Sequence, residues 1–192
     1  GLVRTEGEPQ TLAERLMLPS LTIRGLSSGN TGARARNVIT ATATAALGIR
    51  LVQGNDPEHM KDLVEAHIRK QGYHIVREDP DMATRLKYPK IARVVRFRGY
   101  PAARTQMDLP IVQTVVSAVR AAAGGDLVLV PGMGGSLPLY LFTGGLGKPA
   151  LIVPIANYDD NQHAANENLR VGNLWYGIDL YGALFDLGSR GS

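Results

Sequence analysis

The chain contains no cysteine. The absence of thiols excludes disulfides, thiolate metal ligands and a cysteine nucleophile, and it leaves the cellular compartment open. No apolar run approaches the length of about 18 residues that suggests a membrane span, so we expect no membrane partner. The sequence also lacks an initiator Met and a signal peptide. We therefore expect either a processed N-terminus or a piece of a longer protein.

Positive charge is present but not concentrated. Lys and Arg total 21 against 17 Asp and Glu, a formal net charge of +4. The basic residues are scattered along the chain, and few aromatic residues lie among them. Nucleic-acid binding needs a clustered basic surface, so we expect no nucleic-acid partner. A hydrophobic content of 44% with 20% charged residues is instead typical of a globular domain with an apolar core.

The first half of the chain alternates predicted strands with one clear helix. Apolar residues at every second position indicate half-buried strands. The run Asp56-Pro57-Glu58 is a helix start, and Gly72 is a helix end. This order is typical of a small antiparallel sheet that carries its helix on one face. The predicted strands are 21–26, 42–52, 73–77 and 91–97, and the polar segment 78–90 is predicted to be a loop.

The pattern changes near residue 104. Helical spacing follows Asp108-Leu-Pro110, and two continuous apolar runs, Leu127–Val130 and Ala150–Ile155, are typical of strands buried on both faces. These elements predict part of a parallel or mixed sheet flanked by helices, so the fold class is α/β. The segment 137–142 is predicted to be helical. The last helix has a predicted apolar stripe of Val171, Leu174, Ile178, Tyr181 and Phe185.

These changes predict four segments. Residues 1–17 form a polar lead-in, 18–103 a first domain, 104–187 a second domain, and 188–192 a tail. We find no internal repeat and no low-complexity tract.

The segment Asn157–Arg170 has the densest polar chemistry in the chain. It holds His163 among carboxylates and carboxamides, and it lies between a predicted buried strand and a helix. Such loops are where α/β proteins place ligands. A lone histidine is also a common surface residue, and the sequence has no H-E-x-x-H motif and no other pair at ligand spacing. His163 is therefore either a metal ligand with partners elsewhere or a solvated side chain.

Three further features suggest an anion site. Gly134-Gly135-Ser136 could present backbone N–H groups to an anion, although a tight strand-to-helix turn is the more common role of such a run. Arg50 is on the non-core face of a predicted strand, where it could bind a carboxylate or simply be solvated. Asn37 follows a glycine-rich loop, thirteen residues earlier in the sequence than Arg50.

Taken together, five runs in order resemble the C-terminal half of the two-zinc aminoacylase, carnosinase and carboxypeptidase G family. The resemblance covers about residues 18–187. The runs are Leu21-Thr-Ile-Arg-Gly-Leu26, Ala35-Arg-Asn-Val-Ile39, Ala45–Val52, Gly134-Gly-Ser-Leu-Pro138 and Asn161-Gln-His-Ala-Ala-Asn-Glu167.

The resemblance implies a lid or dimerisation domain at 18–103 and part of a catalytic domain at 104–187. It implies that His163 is a zinc ligand. It also implies that Asn37, Arg50, Gly135 and Ser136 bind the substrate, a small peptide or N-acyl amino acid. In the family, two zinc ions activate a water that attacks an amide bond. The family's other metal ligands and its catalytic glutamate have no counterpart here, so the resemblance places no catalytic residue in this chain.

Two departures concern loops: Thr40 stands where the family usually has Pro, and Tyr158-Asp-Asp160 where a histidine and an asparagine are common. The missing partner of the chain would be the N-terminal half of the catalytic domain. We expect the chain alone to be inactive, since a catalytic zinc needs about three protein ligands. We also expect a homodimer or larger homo-oligomer. The alternative is a non-catalytic dimerisation or carboxylate-binding module.

Overall fold

Both sheet and helix occur in the computed structural model, which describes residues 7–189 of the chain. Residues 1–6 of the predicted lead-in and 190–192 of the predicted tail lie outside the described residues. The predicted fold class is confirmed as mixed α/β, with a small antiparallel sheet, a parallel pair of strands and helices. The internal contacts of the chain divide it into two compact units. The first runs to Ala103 and includes Gly134–Gly145, and the second comprises Arg104–Met133 and the chain from Leu146.

A short helix, α1 (Leu12–Leu16), lies within the polar lead-in. Thr11 and Glu14 form a capping box. The Glu14 backbone N–H donates to the Thr11 hydroxyl at 3.3 Å, and the Glu14 carboxylate accepts from the Thr11 backbone N–H at 2.6 Å. This Thr-x-x-Glu spacing is a sequence signal for a helix start, which the overall polarity of the segment concealed.

The antiparallel sheet consists of β1 (Ser20–Ser27) and β2 (Thr44–Arg50). The register pairs Ser20 with Arg50 and Thr22 with Gly48, and it shifts by one residue at Arg24. Such a bulge bends the strand and redirects the side chain at that point. The register therefore puts Gly48 and Arg50 on one face of the sheet, while Leu47 and Ile49 lie on the other.

Helix α2 (Pro57–Lys70) begins and ends as the sequence predicts. The Asp56 side chain accepts from the His59 backbone N–H at 2.7 Å, and Pro57 occupies the first helical position, where its missing N–H costs nothing. Gly72 has a φ of 87° just after the helix, a backbone conformation that a side chain disfavours.

Strands β3 (His74–Val76) and β4 (Ile91–Arg93) differ from the prediction. They pair in parallel with each other rather than joining the antiparallel sheet. Parallel neighbours need a crossover connection, and the segment predicted to be a loop supplies one, because it contains helix α3 (Met82–Lys87). The Asp81 carboxylate caps α3 by accepting from the Thr84 backbone N–H at 2.8 Å.

In the second unit, α4 (Pro110–Ala123) packs against α5 (Val171–Ser189). Val112 and Leu180 are fully buried at this contact. The predicted stripe of α5 is wrong: Ile178 is 54% exposed and Phe185 82% exposed. The buried positions of the helix are instead Gly177 and Leu180. Since α5 is apolar on nearly all sides, periodicity could not decide which side faces α4.

The runs Leu127–Val130 and Ala150–Ile155 form no strand among the described residues. Side chains bind the backbone of the second run instead. The Thr105 hydroxyl donates to the Ala150 carbonyl at 2.7 Å, Asn173 to Ile155 at 2.8 Å, and Tyr181 to Val153 at 2.8 Å. Strands that are apolar on both faces are typical of parallel sheets with both faces covered, and the described part of this unit offers no strand with which they could pair. The only parallel pair described lies in the first unit.

Within residues 7–189, no helix combines the length and the apolar character needed to cross a membrane.

Candidate functional site

The first candidate site lies at the end of β2. An Arg50 guanidinium nitrogen donates a hydrogen bond to the Ser136 hydroxyl. The two residues are far apart in sequence, and both belong to the first unit. Beside Ser136, a Cβ built on Gly135 would meet nothing within 4 Å. A guanidinium fork, a hydroxyl and an open glycine backbone are together suited to bind a carboxylate.

Asn37 is exposed in a bend after the 3₁₀ turn Gly32–Arg34. No hydrogen bond links it to Arg50 or Ser136 in the part of the chain that the structure describes. The loop around it is closed by side chains: the Ser28 and Thr40 hydroxyl oxygens lie 2.7 Å apart, and the Ser28 hydroxyl donates to the Thr42 carbonyl at 3.2 Å. Thr40, which departs from the family pattern, therefore holds this loop with a bond that Pro could not make.

The second candidate site is the loop from Asn157 to Arg170, in the second unit. Asn157 is only 7% exposed and connects the two ends of the loop. Its amide nitrogen donates to Asp159 at 2.9 Å and to Asn168 at 3.3 Å, and its amide oxygen accepts from the Arg170 backbone N–H at 3.0 Å. This role of Asn157 was not predicted from the sequence. The signal was an asparagine directly after an apolar run, a position where a buried polar group needs partners.

Charge also stabilises this loop. Arg170 pairs with Asp159 at 2.6 Å. The hydrogen bond from Asn157, and then the positive charge of Arg170, lower the pKa of Asp159 below its ordinary value. Asp159 therefore stays ionised at neutral pH and holds the first turn of the loop. The residues Tyr158-Asp-Asp160, which depart from the family pattern, thus include a structural contact of this chain.

His163 is at the exposed tip of the loop, with a φ of 64°. Asn161 and Asn166 also have positive φ, 55° and 63°. Backbone conformations of this kind cost energy for residues other than glycine and cluster at functional sites. The imidazole makes no hydrogen bond to any described residue, so the expected acceptor that would fix its tautomer is not among them.

A resident metal ion is not accommodated by these residues alone. No group of three or more His, Asp or Glu side chains within residues 7–189 could hold one. His163 stands as a single donor, whereas a catalytic zinc needs about three protein ligands. We therefore assign no chemical step through a metal to the described chain.

A third polar cluster, not predicted from the sequence, surrounds Glu65 on α2. Its side chain is 2% exposed. Arg77 donates two hydrogen bonds to the carboxylate, at 2.6 and 2.8 Å, and Arg96 donates one at 2.6 Å. These bonds, Arg77 first, lower the pKa of Glu65 from 4.5 to about 2. The cluster ties α2 to the residues that follow β3 and β4. Its role is structural, since all the groups satisfy one another.

Comparison with known proteins shows which families the sequence is similar to. Residues 5–76 match the peptidase dimerisation domain of the M20 peptidases. The chain is 27% identical over 181 residues to a Cys-Gly metallodipeptidase of Candida albicans, and 25% identical over 173 residues to that of Schizosaccharomyces pombe. These alignments cover 92% and 90% of this chain but 34% of each relative. The chain thus spans about a third of the length of the curated relatives it matches.

Solved structures share the fold. An M20 family metallo-carboxypeptidase from Sulfolobus solfataricus superposes with a TM-score of 0.71 at 22% identity, over 95% of this chain and 39% of its own. The di-peptidase Dug1p from Saccharomyces cerevisiae has a TM-score of 0.68 at 25% identity, over 90% and 34%. Human carnosine dipeptidase 1 has a TM-score of 0.61 at 22% identity, over 90% and 35%.

The first part of the chain is therefore similar to a peptidase dimerisation domain. Along about nine tenths of its length the chain is similar in sequence to Cys-Gly metallodipeptidases and in fold to an M20 family metallo-carboxypeptidase, which agrees with the resemblance seen in the sequence motifs.

Proposed function

We propose that this chain is part of a zinc-dependent peptidase or amidohydrolase that cleaves the amide bond of dipeptides or N-acyl amino acids. Its share of that work is to hold the substrate and to supply one metal ligand. The observation that carries the proposal is the Arg50–Ser136 hydrogen bond, which joins two of the five family-like runs across the first unit. The similarity to Cys-Gly metallodipeptidases supports the substrate class.

Within this proposal each predicted residue has a role. Arg50, Ser136 and Gly135 bind the carboxylate end of the substrate, since they present a charged fork, a hydroxyl and an accessible backbone. Asn37 contributes an amide to the same substrate once it is bound. His163 is one ligand of the two-zinc centre, and the remaining ligands come from the N-terminal half of the catalytic domain.

The chain by itself does not hydrolyse peptides under this proposal. The support is the lack of any three-ligand cluster within residues 7–189. The alternative, a non-catalytic dimerisation or carboxylate-binding module, rests on the same observation. A longer form of the protein that includes residues before Gly1 separates the two. Zinc binding and dipeptide turnover by that form favour the enzyme, whereas carboxylate binding without turnover favours the module.

Self-association is the second part of the proposal. The family match at residues 5–76 names a dimerisation domain. Among the described residues, β1 and β2 form a sheet of two strands, so both outer edges are open to pairing, and Leu21, Ile23 and Leu26 of β1 are exposed. We propose a homodimer or larger homo-oligomer. Light scattering at micromolar concentration tests it, and a monomer would contradict it.

Carboxylate binding tests the substrate site directly. We expect N-acetylglycine to bind this chain in isothermal titration calorimetry, and N-acetylglycinamide, which lacks the carboxylate, to bind weakly or not at all. Arg50→Ala should weaken N-acetylglycine binding by about tenfold or more, because it removes a charge-assisted hydrogen bond. Arg85→Ala is the matched control, since Arg85 is an exposed arginine of the same unit that donates to the Pro80 carbonyl. Equal loss in both variants, or none in either, would refute the assignment of Arg50.

A further inference from the structure

Arg24 lies against the same sheet face as Arg50. A Cβ built on Gly48 would lie 2.9 Å from the Arg24 Cδ, 3.3 Å from its Cγ and 3.5 Å from its Nε. The Arg24 side chain thus crosses β2 in the space that the missing side chain of Gly48 leaves. Arg24 can do so because the register shift at the bulge redirects it from the regular alternation of β1.

Gly48 and Arg50 are two residues apart on β2, so their side-chain positions share a face and are separated by about 7 Å. The Ser136 hydroxyl lies on this face too, since Arg50 donates to it. The stem of Arg24 and the Arg50–Ser136 pair are therefore neighbours on one surface.

Neither arginine has a carboxylate partner in the part of the chain that the structure describes. Arg50 bonds to a neutral hydroxyl, and Arg24 makes no hydrogen bond or ion pair there. Arg77 and Arg96 differ, because each donates to the buried carboxylate of Glu65. Two arginines that share a face without a counter-charge are suited to bind an anion with two carboxylates.

We propose that Arg24 is a specificity determinant that selects substrates with a second carboxylate, namely an acidic amino acid at the carboxyl end. Arg50 binds the α-carboxylate, and Arg24, positioned by Gly48, binds the side-chain carboxylate. This inference rests on the proposed function, because it uses the Arg50 site as the anchor of the substrate.

The experiment compares N-acetyl-L-glutamate with N-acetyl-L-glutamine, which have the same shape but differ by one charge. We expect the full chain to bind the glutamate about tenfold more tightly in calorimetry, since the extra contact is a charge-assisted hydrogen bond. Arg24→Gln should abolish this preference, because it lowers the affinity for N-acetylglutamate to about that for N-acetylglutamine. Gly48→Ala should reduce the preference without removing either charge, because its methyl group displaces Arg24.

Arg85→Gln is the control for the loss of one exposed positive charge in the same unit, and it should keep the preference. Circular dichroism checks that each variant is folded. An equal affinity of the wild type for both ligands, with binding still lost in Arg50→Ala, would overturn the role of Arg24 and leave the carboxylate site standing. No effect of Arg50→Ala, or no binding of either ligand, would overturn both. A preference that survives Arg24→Gln would also overturn the inference.

Discussion

The α2–β3–β4 region of the first unit and the apolar runs of the second unit differ in whether their strands and polar side chains find partners within the described chain. Around α2, the buried Glu65 carboxylate is matched by arginines from two strand ends, and β3 and β4 pair with each other. In the second unit, Leu127–Val130 and Ala150–Ile155 pair with no strand among the described residues, and Val128 is 91% exposed. Both regions come from sequences with clear strand character.

The difference indicates which part of the chain is complete by itself. A polar cluster in which every group is hydrogen-bonded is satisfied by its own residues. Strands that are apolar on both faces need neighbours and a covering layer. Among the described residues of the second unit, the packed core is therefore the helix pair, around Val112 and Leu180. This agrees with a chain that spans about a third of the relatives it matches.

The largest effect expected is at the helix pair. Leu180→Ala should lower the free energy of unfolding by about 4 kcal/mol, because it opens a cavity at a fully buried position. Phe185→Ala on the same helix is the control, since Phe185 is 82% exposed and its loss should be close to neutral. Urea denaturation measures both. A larger loss in Phe185→Ala than in Leu180→Ala would mean that the predicted stripe, and not the observed one, faces the core.

The second largest effect on stability is expected at the polar cluster around Glu65. Glu65→Gln should cost about 3 kcal/mol at pH 7, because it removes the charge that Arg77 and Arg96 share and so cancels the lowered pKa. Glu58→Gln on the same helix is the control. Glu58 pairs at the surface with Lys61 and, at 3.5 Å, with Arg96; its side chain is 63% exposed, and its change should cost less than about 1 kcal/mol.

Acid should remove the same contribution from the wild-type protein. The folded pKa of Glu65, about 2, lies below the ordinary value of 4.5. Its stabilisation is therefore fully present well above pH 4.5 and is lost as the pH falls towards 2. Denaturant midpoints measured between pH 6 and pH 2 should converge for wild type and Glu65→Gln. A difference between the two midpoints that stays constant from pH 6 to pH 2 would contradict the lowered pKa of Glu65.

The smallest effect expected is in the loop of the second unit. Asn157→Ala should cost about 1 kcal/mol or slightly more, since it leaves the Arg170 backbone N–H without its partner. It should also speed amide exchange at residues 161–168. Gln162→Ala, an exposed change in the same loop, is the control. Unchanged exchange in Asn157→Ala would show that the loop does not depend on this side chain.

Local signals in the sequence predicted much of this structure. Asp56, Pro57 and Gly72 mark the ends of α2, and alternation marks β1 and β2, because caps and strand alternation depend on near neighbours. The predicted half-burial is not observed, since β1 is exposed along its whole length. The pairing of β3 with β4 and the buried face of α5 depend on contacts far along the chain, so periodicity could not determine them.

The residues of the candidate sites were likewise predicted only in part. The motifs placed Arg50, Ser136 and His163 in loops and at a strand end, and the structure adds that Arg50 contacts Ser136. The roles of Asn157 and Arg24 were missed, since the first depends on burial and the second on a bulge opposite a glycine.

The proposal that this chain supplies a single metal ligand and is inactive alone is tested most directly by a zinc-dependent dipeptidase assay. The assay uses Cys-Gly as substrate and compares the wild-type chain with His163→Ala. Because the described residues offer His163 and no three-ligand cluster, the account predicts no turnover and no stoichiometric zinc in either protein. Zinc-dependent hydrolysis by the wild type that is abolished in His163→Ala would contradict it.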